Sequence, residues 1–469
     1  MKKPLIILIV FSSLSFFLVL GIFRNYLLFS SLQKDSQKYF NQVMSGETSD
    51  RDLAEKIIKN LEKINNKLNK IDIKQLNEFK SISNDLLLVS KKFLNENQNY
   101  IIILQNSDEL RASGGFLGSF STLEIKNGQF TPFKIQDIYV PDGQFKGFLE
   151  APKGLDEYLS SGQGMRLPDS NWWPNFPDSA EQVLYFFKET EQKDYQGVIA
   201  INLNAVEKLL AITGEIYLPD YDKSVDQYNF AEIAREDRSE FFPGSQEKAN
   251  FLNHFLKIFK LKLSQSIKEN PQAYLALAKN LLQSKDIQIH SKDQEIAEIL
   301  SRRQLDGKMY DNNQELYYFL VESNVGINKT NRLVERQVNI NIDENQQKLS
   351  IKFQNNNQLP YINYQRLYIK PNNNLVSVLI DDQEIAQIDQ RVMETKDGQK
   401  WREVGFLAPV LAKGQSKIEI NLKSELGVEE QKSIFIQKQS GLQATTYSIN
   451  YQDQSKNFEL TSDQSMIFD

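Results

Sequence analysis

Apolar residues open the chain as an unbroken run. Pro4 to Phe23 reads PLIILIVFSSLSFFLVLGIF, without a charge, behind Lys2 and Lys3. About 20 such residues, rising ~1.5 Å each, cross a hydrocarbon core of ~30 Å. The run exceeds the roughly 7–15 apolar residues of a cleavable signal peptide, and no A-x-A site follows it. Residues 1–30 are therefore expected to be a transmembrane anchor with Lys2 and Lys3 on the cytoplasmic side. Cleavage as a signal peptide is the alternative. Either way the bulk of the chain lies outside the cytoplasm, and with the anchor kept it is a single-pass protein of the cell membrane.

From residue 31 to 98 the spacing becomes helical. Leu53, Ile57, Leu61, Ile64, Leu68 and Ile71 recur in steps of three and four, with Lys, Glu and Asn on the other face. Leu76, Phe79, Ile82 and Leu86 repeat the pattern beyond a break at Asp72–Lys74. Two helices are expected, forming a hairpin or stalk near the membrane. A coiled-coil dimer through the same seam is the alternative.

Residues 99–331 mix two periods. Tyr100–Leu104 is a continuous apolar run, as in a strand buried on both faces. Phe116–Lys126 and Gln129–Ile135 read as a hairpin about Asn127-Gly128, a pair suited to a type I′ turn. Ser179–Thr190 reads as a helix, Gly197–Asn202 as a buried strand, and Leu203–Ile212 as a helix closed by Thr213-Gly214. A strand starts at Glu215. Lys248–Leu282 is helical with an interruption near Pro271, and Ser291-x-x-Gln294 reads as a capping box after a strand at Ile287–His290. These are the elements of an α/β domain, a mixed sheet with flanking helices. Residues 332–469 carry short strands separated by turns such as Asn355–Asn357 and Lys413-Gly414, the pattern of an all-β sandwich.

Composition narrows the chemistry. The 469 residues have a formal charge of -6, and no long basic run argues for nucleic acid as a partner. Cysteine is absent, which excludes disulfides, thiolate nucleophiles and thiolate-bound zinc. With His254 and His290 as the two histidines, a triad or a multi-histidine metal site has little to draw on. Asp306–Glu315 lacks the spacing and central glycine of a calcium loop. Neither a metal nor a cofactor is expected, and no catalytic constellation stands out.

Candidate ligand-binding residues follow the first strand. Glu109, Arg111, Gly114 and Gly115 sit after its end, where ligands of α/β sheets bind. Arg111 could grip an anion with its planar fork; the alternative is a local pair with Glu109 and glycines that serve a bend. Arg166, Asp169, Trp172 and Trp173 fall in a polar-aromatic loop, where the two tryptophans could stack on sugar rings or pack against the core. Arg235 and Arg238 precede a long helix and could hold an anion or be a solvated charge run.

These segments also carry a resemblance. Leu104-Gln-Asn-Ser-Asp-Glu-Leu-Arg-Ala-Ser-Gly-Gly-Phe-Leu-Gly-Ser119 resembles the signature of domain-of-unknown-function family 4012 (DUF4012), close to NNxELRxxGGFIGS. Arg166–Trp172 with Phe176-Pro177, Gly197–Ile201, Asn324–Lys329 and Gln437–Gly441 resemble further motifs of that family in order; Gln196 and Ser440 depart from its usual Asp and Pro. Gly197–Leu218 is also faintly similar to the LytR-CpsA-Psr phosphotransferases, which attach glycopolymers to the cell wall. Arg235 and Arg238 are a loose counterpart of that family's arginine pocket.

Three roles are therefore expected of the chain. The first is a non-catalytic envelope protein that binds a surface polysaccharide or a protein partner. The second is a LytR-CpsA-Psr-like transferase acting on lipid-linked envelope glycopolymer. The third is an assembly protein that oligomerises through its helical stalk.

Overall fold

The computed structural model describes residues 26–45, 50–126, 129–130, 134–236, 246–310, 316–395, 398–425 and 432–468. The predicted anchor segment Pro4–Phe23 and the Asn127-Gly128 turn lie outside these residues. No helix among the described residues is long and apolar enough to cross a membrane. The chain is a mixed α/β protein with a β-rich C-terminal half.

Three helices come first: α1 (Tyr26–Ser45), α2 (Arg51–Asn69) and α3 (Asn77–Asn95). Asp50 caps α2 by accepting from the Leu53 backbone N–H at 3.2 Å. Of the two expected forms, hairpin or stalk, α2 and α3 pack on each other as a hairpin. Leu53, Ile57, Leu61, Ile64 and Leu68 are buried in one apolar cluster with Leu32, Tyr39 and Phe40 of α1 and with Tyr100, Ile102 and Ile199 of the first sheet. Burial of each such side chain contributes on the order of 2 kcal/mol. The seam that suited a dimer is already covered by the chain's own sheet and helices.

The first sheet holds β1 (Gln98–Asn106), β2 (Phe116–Lys126), β3 (Gln129–Phe130), β4 (Gln136–Asp137), β5 (Gly197–Asn202) and β8 (Ile287–Ser291); β6 (Ile216–Leu218) and β7 (Lys223–Val225) form a separate ribbon. Its order is β3-β2-β1-β5-β8, with β4 also on β2. β1 and β5 are parallel, with Gln105 opposite Asn202 at their carboxyl ends. Alternation along β1 sends Ile101 and Ile103 to one face, under α4 (Phe176–Glu191). Tyr100 and Ile102 go to the other, under α5 (Leu203–Thr213), α6 (Phe230–Glu236), α7 (Gln246–Glu269) and α8 (Pro271–Gln283). Asn270 separates α7 from α8, and Gly214, at φ 80°, ends α5 as expected. Of the partner strand expected over Gln129–Ile135, the described residues show Gln129–Phe130. The cap of α9 (Gln294–Arg302) is Asp293 rather than Ser291: its carboxylate accepts from Ile296 N at 3.0 Å, and Ser291 Oγ accepts from Asp293 N.

The C-terminal half builds two sheets. One takes β10 (Val334–Asp343), β11 (Gln346–Asn355), β13 (Asn373–Ile380), β14 (Gln383–Glu384), β17 (Gln415–Ser424), β19 (Thr445–Tyr451) and β20 (Gln454–Leu460). The other takes β9 (Leu316–Asn324), β12 (Tyr361–Ile369), β15 (Asp389–Glu394), β16 (Lys400–Val410), β18 (Ser433–Ile436) and β21 (Gln464–Ile467). Between them lies one apolar core, with Leu316, Leu367 and Phe406 from the second sheet meeting Ile340, Ile351 and Ile420 from the first. The outer face of the second sheet turns Tyr364 toward Trp172 and Phe176, so it packs on the α/β part. Hence β9 is buried along its whole length.

Candidate functional site

Arg111 is 2% exposed and fully engaged. Its guanidinium donates to Glu109 Oε1 at 3.1 Å, Asp169 Oδ1 at 3.2 Å and the carbonyls of Asn324 and Leu110 at 2.8 and 3.2 Å. Phe116 lies beneath it, 5.6 Å from the ring centre. A cation with this many partners is a fastener rather than an open anion grip. It ties the loop after β1 to the end of β9, across the junction of the two halves.

Arg166 and Trp172 are spent on the same kind of work. Arg166 forks onto Asp142, at 3.2 Å from Nε to Oδ1 and 3.1 Å from Nη2 to Oδ2. Trp172 is buried, stacked on Tyr364 at 5.8 Å, with the Arg366 guanidinium 4.7 Å from its ring. Trp172 therefore offers no face to a sugar, while Arg166 is half-buried. Burial, then the charges of Asp169, Glu109, Asp137 and Asp142, push the Tyr139 hydroxyl up to about 12. Arg235 stands near the end of α6, and Arg238 lies outside the described residues.

The five motif segments meet at this junction. Gln439 donates to the Arg111 carbonyl at 3.1 Å and to the Glu322 carbonyl at 2.8 Å. Ser440 Oγ donates to the Lys285 carbonyl and accepts from Asn202 and Gln288. Asn331 donates to the Ser107 carbonyl at 2.7 Å, and Arg332 pairs with Asp108 and Glu207. Lys438 donates to the carbonyls of Ser284, Gln439 and Leu442 in full burial, which pushes its ammonium down to about 8.

Beside the junction is a cavity of about 110 Å³. It opens at the carboxyl ends of the parallel strands β1 and β5, between the sheet and helices α5, α6 and α7. Its wall is mostly apolar: Leu104, Ile201, Val206, Phe230, Leu252 and Phe255 among others. Polar groups gather at one end, in Gln105, Asn106, Ser119 and Asn202, with Lys248 and Lys329 also lining it. Both amide atoms of Gln105, the Ser119 hydroxyl and the Asn202 carbonyl oxygen are buried and find no hydrogen-bond partner among the described residues. Buried polar atoms are nearly always paired, so four orphans in one wall indicate a missing partner.

The glycines of the first motif make room for this wall. A Cβ on Gly114, which has φ 146°, would lie 2.6 Å from Asn202 Oδ1 and overlap Gln105 Oε1. A Cβ on Gly118 would lie 2.6 Å from the Lys248 ammonium. Of the residues expected to bind ligand, Gly114 is thus the one that serves the cavity, by allowing close approach. Glu109, Arg111, Gly115, Arg166, Asp169 and Trp172 do not line it. Gln105 lies in the first motif and Asn202 just after the third, but neither carries a local signal; their meeting depends on the parallel register. The described lining contains no carboxylate or histidine; its titratable groups are Lys248 and Lys329.

The fold and site thus define a mixed α/β protein with a cavity at the carboxyl ends of paired parallel strands. Residues 95–238 match the family model described as a protein of unknown function, DUF4012, which bears out the resemblance carried by Leu104–Ser119. That match carries nothing for the likeness to the LytR-CpsA-Psr phosphotransferases. No curated protein matches the chain. Among solved structures it is similar to a candidate nutrient binding protein of Legionella pneumophila, at 6% identity and a TM-score of 0.18, over 25% of this chain and 50% of that one. It is also similar to a protein of Streptococcus agalactiae, at 15% identity and a TM-score of 0.27, over 44% of this chain and 72% of that one. The chain thus spans half the length of the first. Both likenesses are too low to define a fold or a function.

Proposed function

We propose that this is a membrane-anchored, extracytoplasmic binding protein whose cavity takes the apolar part of an amphiphile. The polar end of the ligand meets Gln105, Ser119 and Asn202, and Lys248 and Lys329 favour an anionic end. The observation that carries this reading is the set of unpartnered polar atoms in the wall of an otherwise apolar cavity. The apolar run Pro4–Phe23, read from the sequence as an anchor, supports the placement outside the cytoplasm. A surface polysaccharide asks instead for an open polar or aromatic face, and of the two aromatic candidates Trp172 is buried and Trp173 half-buried.

A transferase acting on a lipid-linked glycopolymer is the second reading, favoured by the same apolar cavity. Against it stand the absence of a carboxylate or histidine in the described lining and the engagement of Arg111 and Arg166 elsewhere. The assembly role through a helical seam loses its surface, since Leu53, Ile57, Leu61, Ile64 and Leu68 are buried.

The test is site-specific crosslinking. The full chain in detergent is irradiated with a diazirine-bearing fatty acid, and the modified peptides are mapped by mass spectrometry. Peptides carrying Val206 or Leu252 are expected to be labelled, and Ala231→Trp is expected to abolish that labelling while leaving the far-ultraviolet circular dichroism unchanged. Labelling confined to the first thirty residues would overturn the reading.

A further inference from the structure

Three loops of the β-rich half form one apolar-tipped surface beside the cavity. They are residues 326–333, 355–360 and 411–414, and hydrogen bonds stitch them together. Asn328 Nδ2 donates to the Pro360 carbonyl at 2.9 Å, and Asn356 N to the Leu333 carbonyl at 2.8 Å. Asn355 Nδ2 donates to the carbonyls of Leu359 and Leu411 at 2.9 and 3.0 Å. Each loop nevertheless sends a large aliphatic side chain into solvent. Leu411 is 73% and Ile327 69% exposed, with Leu359 and Leu333 about half exposed. Scattered single exposures are ordinary, but four on mutually bonded loops make a patch.

The backbone adds a second observation. Ile327 has φ 51°, the left-handed region that a β-branched side chain rarely enters. The strain holds an isoleucine outward on a turn where glycine or asparagine would rest more easily, and strain of this kind clusters at functional surfaces.

Charge selects the partner. The three segments read GINKTNRL, NNNQLP and LAKG, with no carboxylate, in a chain whose formal charge is -6. Their cations are Lys329, Arg332 and Lys413: Arg332 is paired with Asp108 and Glu207, Lys413 donates to the Asn356 carbonyl at 2.6 Å, and both lysines are exposed. Aliphatic tips beside two exposed lysines, with the exposed Glu335 carboxylate held aside by Asn356, suit the boundary of a bilayer carrying anionic headgroups, into which apolar side chains dip while lysines remain at headgroup level. Lys329 also lines the cavity, so the same loops border its mouth.

We infer that the loop tips Ile327, Leu333, Leu359 and Leu411 form a docking surface for an anionic lipid bilayer. This rests on the membrane placement proposed above but not on what the cavity holds. Docking there brings the cavity mouth to the lipid, so that an amphiphile would pass between bilayer and cavity without crossing open water.

The absence of cysteine allows a single reporter. Leu411→Cys in the full chain is labelled with an environment-sensitive fluorophore and reconstituted in phosphatidylcholine vesicles with or without phosphatidylglycerol, with quenchers on the lipid chains. Leu359→Cys provides a second label on the patch, and Val376→Cys, on β13 in the other sheet, a control. In vesicles with phosphatidylglycerol, the labels at positions 411 and 359 are expected to shift to the blue and lose emission to the quencher, and the control to do neither. Reversing Lys329 and Lys413 to glutamate is expected to weaken docking by at least roughly fivefold per lysine. Labels on the patch that stay unquenched while the chain sediments with vesicles would overturn the docking surface alone. Failure to sediment with either vesicle would overturn the anchor and this inference together. A blue shift that follows protein concentration without vesicles would assign the patch to a second protein copy instead, and equal quenching in both vesicles would overturn the role given to charge.

Discussion

Gly441 rests against Gly114 so closely that a methyl group on Gly441 would overlap the Gly114 carbonyl oxygen. One glycine follows β18 in the β-rich half and the other follows β1 in the α/β part. Gly441 also has φ 83°, where an alanine is strained by about 1–2 kcal/mol even in open space. Gly441→Ala is therefore expected to destabilise the protein by more than about 2 kcal/mol in denaturant unfolding. A variant as stable as the parent would show that the two halves are less tightly joined than described.

Arg111 is expected to behave as a fastener. Arg111→Met strands the buried Glu109 carboxylate and two carbonyls, and should cost about 3–5 kcal/mol. Lysine should not rescue it, because an ammonium cannot reproduce the fork between Glu109, Asp169 and Asn324. Thermal unfolding of both variants checks this; loss of ligand binding without loss of stability would return Arg111 to the role of an anion grip.

Gln105 should show the opposite sign. Its amide is buried and finds no partner among the described residues, so Gln105→Met is expected to raise stability by about 1–2 kcal/mol. The same change should weaken labelling of the cavity by the fatty-acid probe. If instead the variant is destabilised, the amide has a partner of its own in solution and the wall needs no ligand to complete it.

Lys438 carries a pH dependence. Burial depresses its ammonium from 10.5 to about 8, with Asp286, Lys285, Lys208 and Asp463 around it. Below about pH 8 folded and unfolded chains both hold the proton, and the cost of the buried charge is fully present. Between pH 8 and 10.5 the unfolded chain binds more protons than the folded one, so this group's contribution to stability rises as pH rises. The unfolding free energy of the parent relative to Lys438→Met is expected to grow by on the order of 3 kcal/mol across that window. A difference that stays flat with pH would count against the depressed ammonium.

Local pattern made part of this molecule readable. The apolar run Tyr100–Leu104, the strand Gly197–Asn202 and the helix closed at Gly214 follow from spacing and caps, and the short strands after residue 331 from alternation. β9 was missed because Leu316–Asn324 is buried on both faces and shows no period. The helices of residues 31–98 were read correctly as helices, but their packing on the sheet was not, since an apolar seam looks the same whether it meets another chain or its own. The fate of Arg111 was hidden because its partner Asn324 lies 213 residues away. The cavity was hidden for a related reason: Gln105 meets Asn202 only through strand register, and Lys248 comes from a helix with no motif at all.

The bond from Gln439 to the Arg111 carbonyl closes a ring of 328 residues. A segment made or exported from its N-terminal end has to hold Arg111 and its carboxylates without their lid until Gln437–Gly441 arrives. Searching out so distant a contact is slow, and the half-assembled form shows polar groups and sheet to solvent meanwhile. Truncating the chain before residue 437 should therefore leave even the N-terminal half unfinished, and a helper that shields the young chain would act in that interval.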